Sequence, residues 1–294
     1  MEGLCICNTA SNSLSFIDLN NYKHIVCPIV LGECPSGPHG LCLWGENIIT
    51  ANSYGDSLSV VSIRLKKEME NLYIGSHPND IKVYRNKGYV LCGESNSLII
   101  IDLISKKIMK EISLGVYPHF MYINKSGKAA IVNMDSNEIT IFDCNQDEKI
   151  INIQVEETPT KCYISKNDEE IYVCESNLGL NRRGSISIYD FRSGKKVNEY
   201  KVGFGPVDFY YSENYIYVSN FEEGTVGFID VDNEGYTDIK IGGMPRGIIE
   251  VKDRVYVADN FKNKLYIINK AREIEKTITL GKEPNDMVYY NLLD

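Results

Sequence analysis

Pro206-Val207-Asp208-Phe209, Tyr217-Val218-Ser219-Asn220 and Phe228-Ile229-Asp230 follow one another closely, and together they form one copy of a unit that fills the chain. The first piece, a proline opening a short apolar run, recurs as Pro38-His39-Gly40-Leu41, Pro78-Asn79-Asp80-Ile81, Pro118-His119-Phe120-Met121, Pro159-Thr160-Lys161-Cys162, Pro245-Arg246-Gly247-Ile248 and Pro284-Asn285-Asp286-Met287. Successive prolines lie 40, 40, 41, 47, 39 and 39 residues apart. A fixed period of about 40 residues is the signature of propeller blades. Proline suits the first position of a strand, because that residue need not donate to the ladder and its fixed φ sets the angle of entry.

The second piece is an apolar strand that ends in a small polar residue, as in Tyr256-Val257-Ala258-Asp259 and Ile171-Tyr172-Val173-Cys174-Glu175. Ten residues on, in most copies, a third strand ends in aspartate, as at Asp18, Asp102, Asp143, Asp190 and Asp230, with Ser62 and Asn269 standing in for it twice. The polar cluster between the two has hairpin chemistry. A fourth strand is expected to end in glycine three residues before the next proline, at Gly75, Gly115, Gly203, Gly242 and Gly281. The chain begins on the second piece and stops after the first, so one blade must take three strands from the N-terminus and one from Pro284 to about Tyr290. The expected fold is all-β: a single domain over residues 1–294, a seven-bladed β-propeller of four-stranded antiparallel blades, closed by pairing the C-terminal strand with the N-terminal blade. Such closure removes exposed sheet edges.

Composition narrows the function. The 294 residues bury a core large enough to need no metal or disulfide staple, so no cofactor is required for stability. The start, Met1-Glu2-Gly3-Leu4-Cys5-Ile6-Cys7-Asn8, lacks a cationic stretch followed by an apolar run, and no later segment matches a membrane span. Nine cysteines without tandem metal-ligand spacing fit a reducing compartment, and a cytoplasmic location is expected. A net charge of -9 disfavours nucleic acid and anionic membrane as partners. The expected state is a monomer that meets a small molecule or a peptide.

The seven-copy pattern, above all Tyr217-Val218-Ser219-Asn220 followed by Gly224-Thr225-Val226-Gly227-Phe228-Ile229-Asp230, resembles the YVTN-repeat propellers, including the bacterial YncE-like proteins. The resemblance covers essentially the whole chain. It implies architecture more than activity, since members and close relatives include binding proteins, surface proteins, lactonases and a streptogramin lyase. It also implies a ligand site at the funnel entrance, where the loops before the proline strand and after the second strand meet.

The residues that would line that entrance are the two after each proline. His39, Asn79, Asp80, His119, Asn285 and Asp286 fall in four consecutive blades counted across the closure, while Lys161 and Arg246 lie elsewhere on the ring. Two imidazoles with nearby carboxylates suit a divalent metal, or a base and its orienter in acid–base chemistry, with His39, Asp80 and His119 as the candidate set for either. The plain alternative is a water-filled mouth that simply carries polar residues. The insertion Ser176 to Gly184, with Arg182 and Arg183, is read as an exposed loop whose arginines could clamp an anion. Cys92 takes the place of Asn8, Asn52, Asn133 and Asn220 in other copies, and it is read with Cys7 and Cys174 as a packing residue. Tyr54, Tyr117, Phe221 and Phe261 are placed in loops at the mouth, and Trp44 at the end of an innermost strand in the core.

No Gly-x-Ser-x-Gly elbow, phosphate-cradling glycine loop or His-Glu-x-x-His motif occurs. The leading expectation is a non-catalytic binding or scaffold propeller with a small-molecule or peptide site at the funnel face. The rival is a lactonase-like or lyase-like enzyme in which a metal near His39, Asp80 and His119 polarises a carbonyl. Pro118-His119-Phe120 with Ser126-Gly127-Lys128 is similar to the histidine-bearing innermost strand of lactonase propellers, but their catalytic arginine and glutamate find no matching positions. A structural, envelope-associated protein is a third reading.

Overall fold

The computed structural model describes residues 1–32, 35–75 and 77–292. Seven four-stranded antiparallel sheets form the propeller. Each of the seven repeat prolines is the first residue of an innermost strand: Pro38–Trp44, Pro78–Tyr84, Pro118–Ile123, Pro159–Ile164, Pro206–Tyr211, Pro245–Val251 and Pro284–Asn291. We number the blades so that blade 1 combines Pro284–Asn291 with the N-terminal strands Glu2–Asn8, Ser13–Asp18 and His24–Pro28. Blades 2 to 7 then begin at Pro38, Pro78, Pro118, Pro159, Pro206 and Pro245. Within blade 1 the closure pairs Leu4 with Tyr289, Cys5 with Val288 and Ile6 with Met287.

The middle two strands of every blade are buried on both faces, because each sheet packs against a neighbour on either side. Ile49, Ala51 and Leu58 of blade 2 share a cluster with Ile81, Val90 and Ile99 of blade 3. Across the closure, Leu4 and Ile6 of blade 1 pack with Tyr256, Ala258 and Leu265 of blade 7. Outermost strands such as Lys107–Ser113 are mostly exposed. Trp44 ends its strand as expected and packs, partly buried, against the cluster between blades 2 and 3.

The small polar residue ending the second strand has a specific task. Asn52 donates to Ser57 Oγ at 3.1 Å and Ser59 Oγ at 2.7 Å across the hairpin, and Asn8 does the same with Ser13 and Ser15 at 3.2 and 2.9 Å. In blade 5 Glu175, fully buried, takes this role as an acceptor, from Ser187 at 2.5 Å, Tyr189 Oη at 2.5 Å and the Glu156 N–H at 3.0 Å. Cys92 cannot do so. It is buried, and burial pushes its thiol up to about 12, as it does for Cys174, so both are inert packing residues.

Two expectations need correction. Fourth strands end at Tyr73, Ser113, Lys240 and Thr279, so Gly75, Gly115, Gly242 and Gly281 lie just beyond them, and Gly203 sits inside the strand Lys196–Phe204. Those glycines mark the exit turn rather than the strand end. The insertion 176–184 is exposed only at its tip, residues 179–183, whereas Ser176, Asn177 and Gly184 are buried at its base, where Asn177 donates to the Arg183 carbonyl at 2.9 Å. Among the described residues no helix is long and apolar enough to cross a membrane.

Candidate functional site

A β-bulge falls just after the proline in all seven innermost strands, where the ladder shifts register between the proline and the next paired residue. An extra residue at that point re-aims side chains. Both residues after the proline therefore face the channel, giving two stacked levels. The upper level is His39, Asn79, His119, Thr160, Val207, Arg246 and Asn285, and the lower includes Gly40, Asp80, Phe120, Lys161, Asp208 and Asp286; together they line one pocket of ≈ 40 Å³. Gly40 is there for closeness: a Cβ on it would stand 2.5 Å from Asp80 Oδ1 and 2.7 Å from the Asn79 carbonyl oxygen.

At the upper level, His39 and His119 meet edge to face with ring centroids 5.3 Å apart. His39 Nδ1 lies 3.0 Å from the Asn79 carbonyl oxygen, which can only accept, so Nδ1 carries the proton and Nε2 the lone pair. His119 Nδ1 is buried with no hydrogen-bond partner among the described residues. Burial, with the Arg246 guanidinium nearby, pushes His39 down to about 3. Burial, then His39 and Arg246, hold His119 well below the usual imidazole range. Both rings are neutral at physiological pH.

The lower level is a set of ion pairs. Lys82, four residues after its proline and on the same strand face as Asp80, reaches Asp80 at 2.5 Å and Asp286 at 4.0 Å. Burial works against its ammonium, but Asp80 and Asp286 outweigh it and raise Lys82 above its ordinary range. Asp80 also accepts from the Ile81 and Met121 N–H groups, each at 2.9 Å. Lys161 pairs with Asp208 at 2.5 Å, and burial lifts Asp208 to about 6 against the pull of that lysine. Lys82 and Lys161 stand 5.1 and 4.8 Å from the Phe120 ring centroid, so one aromatic face serves two cations.

Arg246 differs from these. Among the described residues it makes no hydrogen bond and no ion pair, although it is only partly exposed and lines the same pocket. Burial lowers its pKa.

The rim is held by a second repeated clasp. Residues just before the prolines adopt left-handed backbone, with φ of 53° at His77, 54° at Tyr117, 56° at Thr158 and 53° at Glu283. Their N–H groups donate to the turn residue of a neighbouring hairpin, His77 to Asp56 at 2.8 Å, Tyr117 to Asn96 at 2.8 Å and Glu283 to Asn263 at 2.9 Å. The clasp sets Tyr117 in a stack on His119, centroids 6.2 Å apart and planes at 21°. Tyr54 and Phe261 are exposed at 54% and 69%, while Phe221 is partly buried.

All eight expected residues, His39, Asn79, Asp80, His119, Lys161, Arg246, Asn285 and Asp286, meet in this pocket. The grouping inside it differs from the expected set of His39, Asp80 and His119, since Asp80 is taken by Lys82 and two backbone N–H groups. Among the described residues no three His, Cys, Asp or Glu side chains are grouped to hold a metal ion. Arg182 pairs with Glu157 at 3.7 Å, and Arg183 lies over Phe204 at 5.7 Å, so neither joins the channel. Lys82, Phe120 and Asp208 escaped the sequence reading. Strand alternation would have found Lys82, and the second position after Pro206 would have found Asp208.

No family model matches the chain, and no curated protein matches it. Among solved structures it is similar to a functionally unknown protein from Desulfotomaculum acetoxidans, with TM-score 0.80, 11% identity and coverage of 98% of this chain and 99% of that one. It is also similar to the hydrazine synthase of Kuenenia stuttgartiensis, with TM-score 0.79, 17% identity and coverage of 87% and 90%. Virginiamycin B lyase from Staphylococcus aureus matches with TM-score 0.71, 14% identity and coverage of 85% and 88%. At these identities the likeness is one of fold, and the fold is a seven-bladed β-propeller.

Proposed function

We propose that this chain is a non-catalytic binding propeller that takes a small molecule at the channel mouth. One observation carries the reading. The Arg246 guanidinium lines the pocket without a hydrogen bond or ion pair among the described residues, beside two neutral imidazoles, in a ring whose carboxylates are already engaged. A partly buried guanidinium that only feels the more distant Asp208 and Asp286 charges, with none of its donors hydrogen-bonded, is costly unless something else completes it. The YVTN-like repeat and its funnel-entrance site agree with this placement, and the eight cysteines among the described residues, all free and buried, support a reducing cytosol as its home.

Metal-assisted lactonase or lyase chemistry is the weaker reading, because the oxygens that would hold a metal beside the imidazoles belong to Asp80 and Asp286, and these face Lys82. A screen of several hundred small metabolites against uniformly ¹⁵N-labelled protein tests the proposal, read on the imidazole nitrogens. At least one compound should shift His39 and His119 saturably, and be recovered unchanged. If no compound moves either ring, the mouth is not a ligand site.

A further inference from the structure

We infer that the group recognised at the mouth is a carboxylate monoanion seated on the Arg246 guanidinium beside His39 and His119. The inference rests on the mouth being a ligand site, and it names the chemistry of what enters.

The Arg246 guanidinium, without a hydrogen bond or ion pair among the described residues, selects an anion, and the carboxylates below limit that anion to one unit of charge. The lower level holds three carboxylates, Asp80, Asp208 and Asp286, against two ammonium groups, Lys82 and Lys161, all within the lined pocket or in contact with it. Arg246 brings the sum to zero. A monoanion gains a cation that has no hydrogen-bonded counter-ion, whereas a dianion would face the carboxylates below with nothing to balance its second charge. The neutral rings add no positive charge, and His39 Nε2 offers a lone pair rather than an N–H. Two imidazolium rings would have made a phosphate site. Two neutral ones do not.

Shape agrees. The pocket, ≈ 40 Å³, is about three times the ~10–15 Å³ that one water needs, which is space for the three heavy atoms of a carboxyl group and little more. Guanidinium presents a planar fork of donors that matches a carboxylate two bonds at a time, which lysine cannot do.

Sodium acetate, inorganic phosphate and acetamide serve as probes, titrated into ¹⁵N-labelled protein at constant ionic strength and pH 7.5. Acetate should move the His39 and His119 ring nitrogens saturably, phosphate and acetamide should not, and Arg246→Lys should weaken acetate binding by about tenfold or more. Binding of acetyl-Gly-Gly only when its C-terminus is free would support the same recognised group with a peptide as its source. Phosphate or acetamide binding as well as acetate overturns the inference. So does acetate binding unchanged in Arg246→Lys and Arg246→Ala. If the Arg246 variants do not fold, the wild-type titrations decide alone. Uncharged metabolites that move the rings while acetate does not would sink the carboxylate and leave the ligand site standing.

Discussion

His39 and His119 lie in edge-to-face contact, 5.3 Å between centroids at 81°, although blade 3 with Asn79 separates the strands that carry them. Asn79 makes this contact possible. Its carbonyl oxygen holds His39 Nδ1, and its own side chain turns away to donate to the Pro118 carbonyl at 3.2 Å. Two imidazoles this close and this enclosed cannot both take up protons cheaply.

The pH dependence follows with a definite sign. Both rings titrate below the ordinary 6.5, His39 near 3, so the unfolded chain takes these protons first as pH falls. The stability they contribute is complete above pH 6.5 and is lost as pH falls below it, for His39 between there and about 3, at up to about 1.4 kcal/mol per pH unit. Asp208, lifted from 3.8 to about 6, works in the opposite direction within that window and offsets part of the loss. Denaturant melts at pH 7 and pH 5 should show wild type losing more stability than a His39→Gln, His119→Gln double variant. Ring nitrogens of wild type should still report neutral imidazole at pH 5, and imidazolium signals there would refute the burial argument.

Lys82 is the keystone of the lower level. Lys82→Met should cost about 3–5 kcal/mol, because it strands Asp80 and Asp286 near each other without a cation. Adding Asp80→Asn should restore most of that loss. Equilibrium unfolding of both variants checks it, and a neutral single variant would mean the pair is already solvated.

The repeat was readable because its parts obey local rules. A proline can start an innermost strand but not sit within a central one, and an Asn five and seven residues before Ser or Thr closes its own hairpin, as Asn52 does with Ser57 and Ser59. Closure was readable because Met287 to Tyr289 had no other partner. The grouping within the mouth was not. Which of fourteen ring positions face each other depends on bulge geometry and on side chains crossing the axis, and neither leaves a mark in spacing. Asp80 looks like a metal ligand in sequence, and only the reach of Lys82 from two residues away shows otherwise.

The rim clasp has a measurable share in placing Tyr117. Asn96→Ala removes the acceptor for the Tyr117 N–H, 2.8 Å away, and puts alanine at φ 53°, so it should destabilise by about 2 kcal/mol, roughly half from the hydrogen bond and half from the backbone. Asn96→Gly should recover the backbone half. If alanine and glycine cost the same, the left-handed turn carries no strain.

Ring closure is the most severe test of the architecture. The C-terminal strand supplies blade 1 with its innermost strand, and its Tyr290, 2% exposed, packs on Phe16 with centroids 6.1 Å apart while its hydroxyl accepts from Lys66 at 3.1 Å. Met287 adds to the core shared by blades 1 and 7. Full burial of a large apolar side chain is worth about 1.5–3 kcal/mol, so losing Met287, Val288, Tyr289 and Tyr290 together should cost more than about 5 kcal/mol, comparable to the whole stability of many domains. Removing residues 284–294 also bares the Glu2–Asn8 strand as a sheet edge, which invites pairing between chains. The truncated protein should therefore melt far lower and self-associate, whereas Tyr290→Ala, which keeps the backbone ladder, should cost about 3–5 kcal/mol and stay monomeric. Calorimetry with light scattering separates these outcomes. A truncated chain that melts with wild type and remains monomeric would mean that blade 1 stands on three strands and the ring needs no clasp.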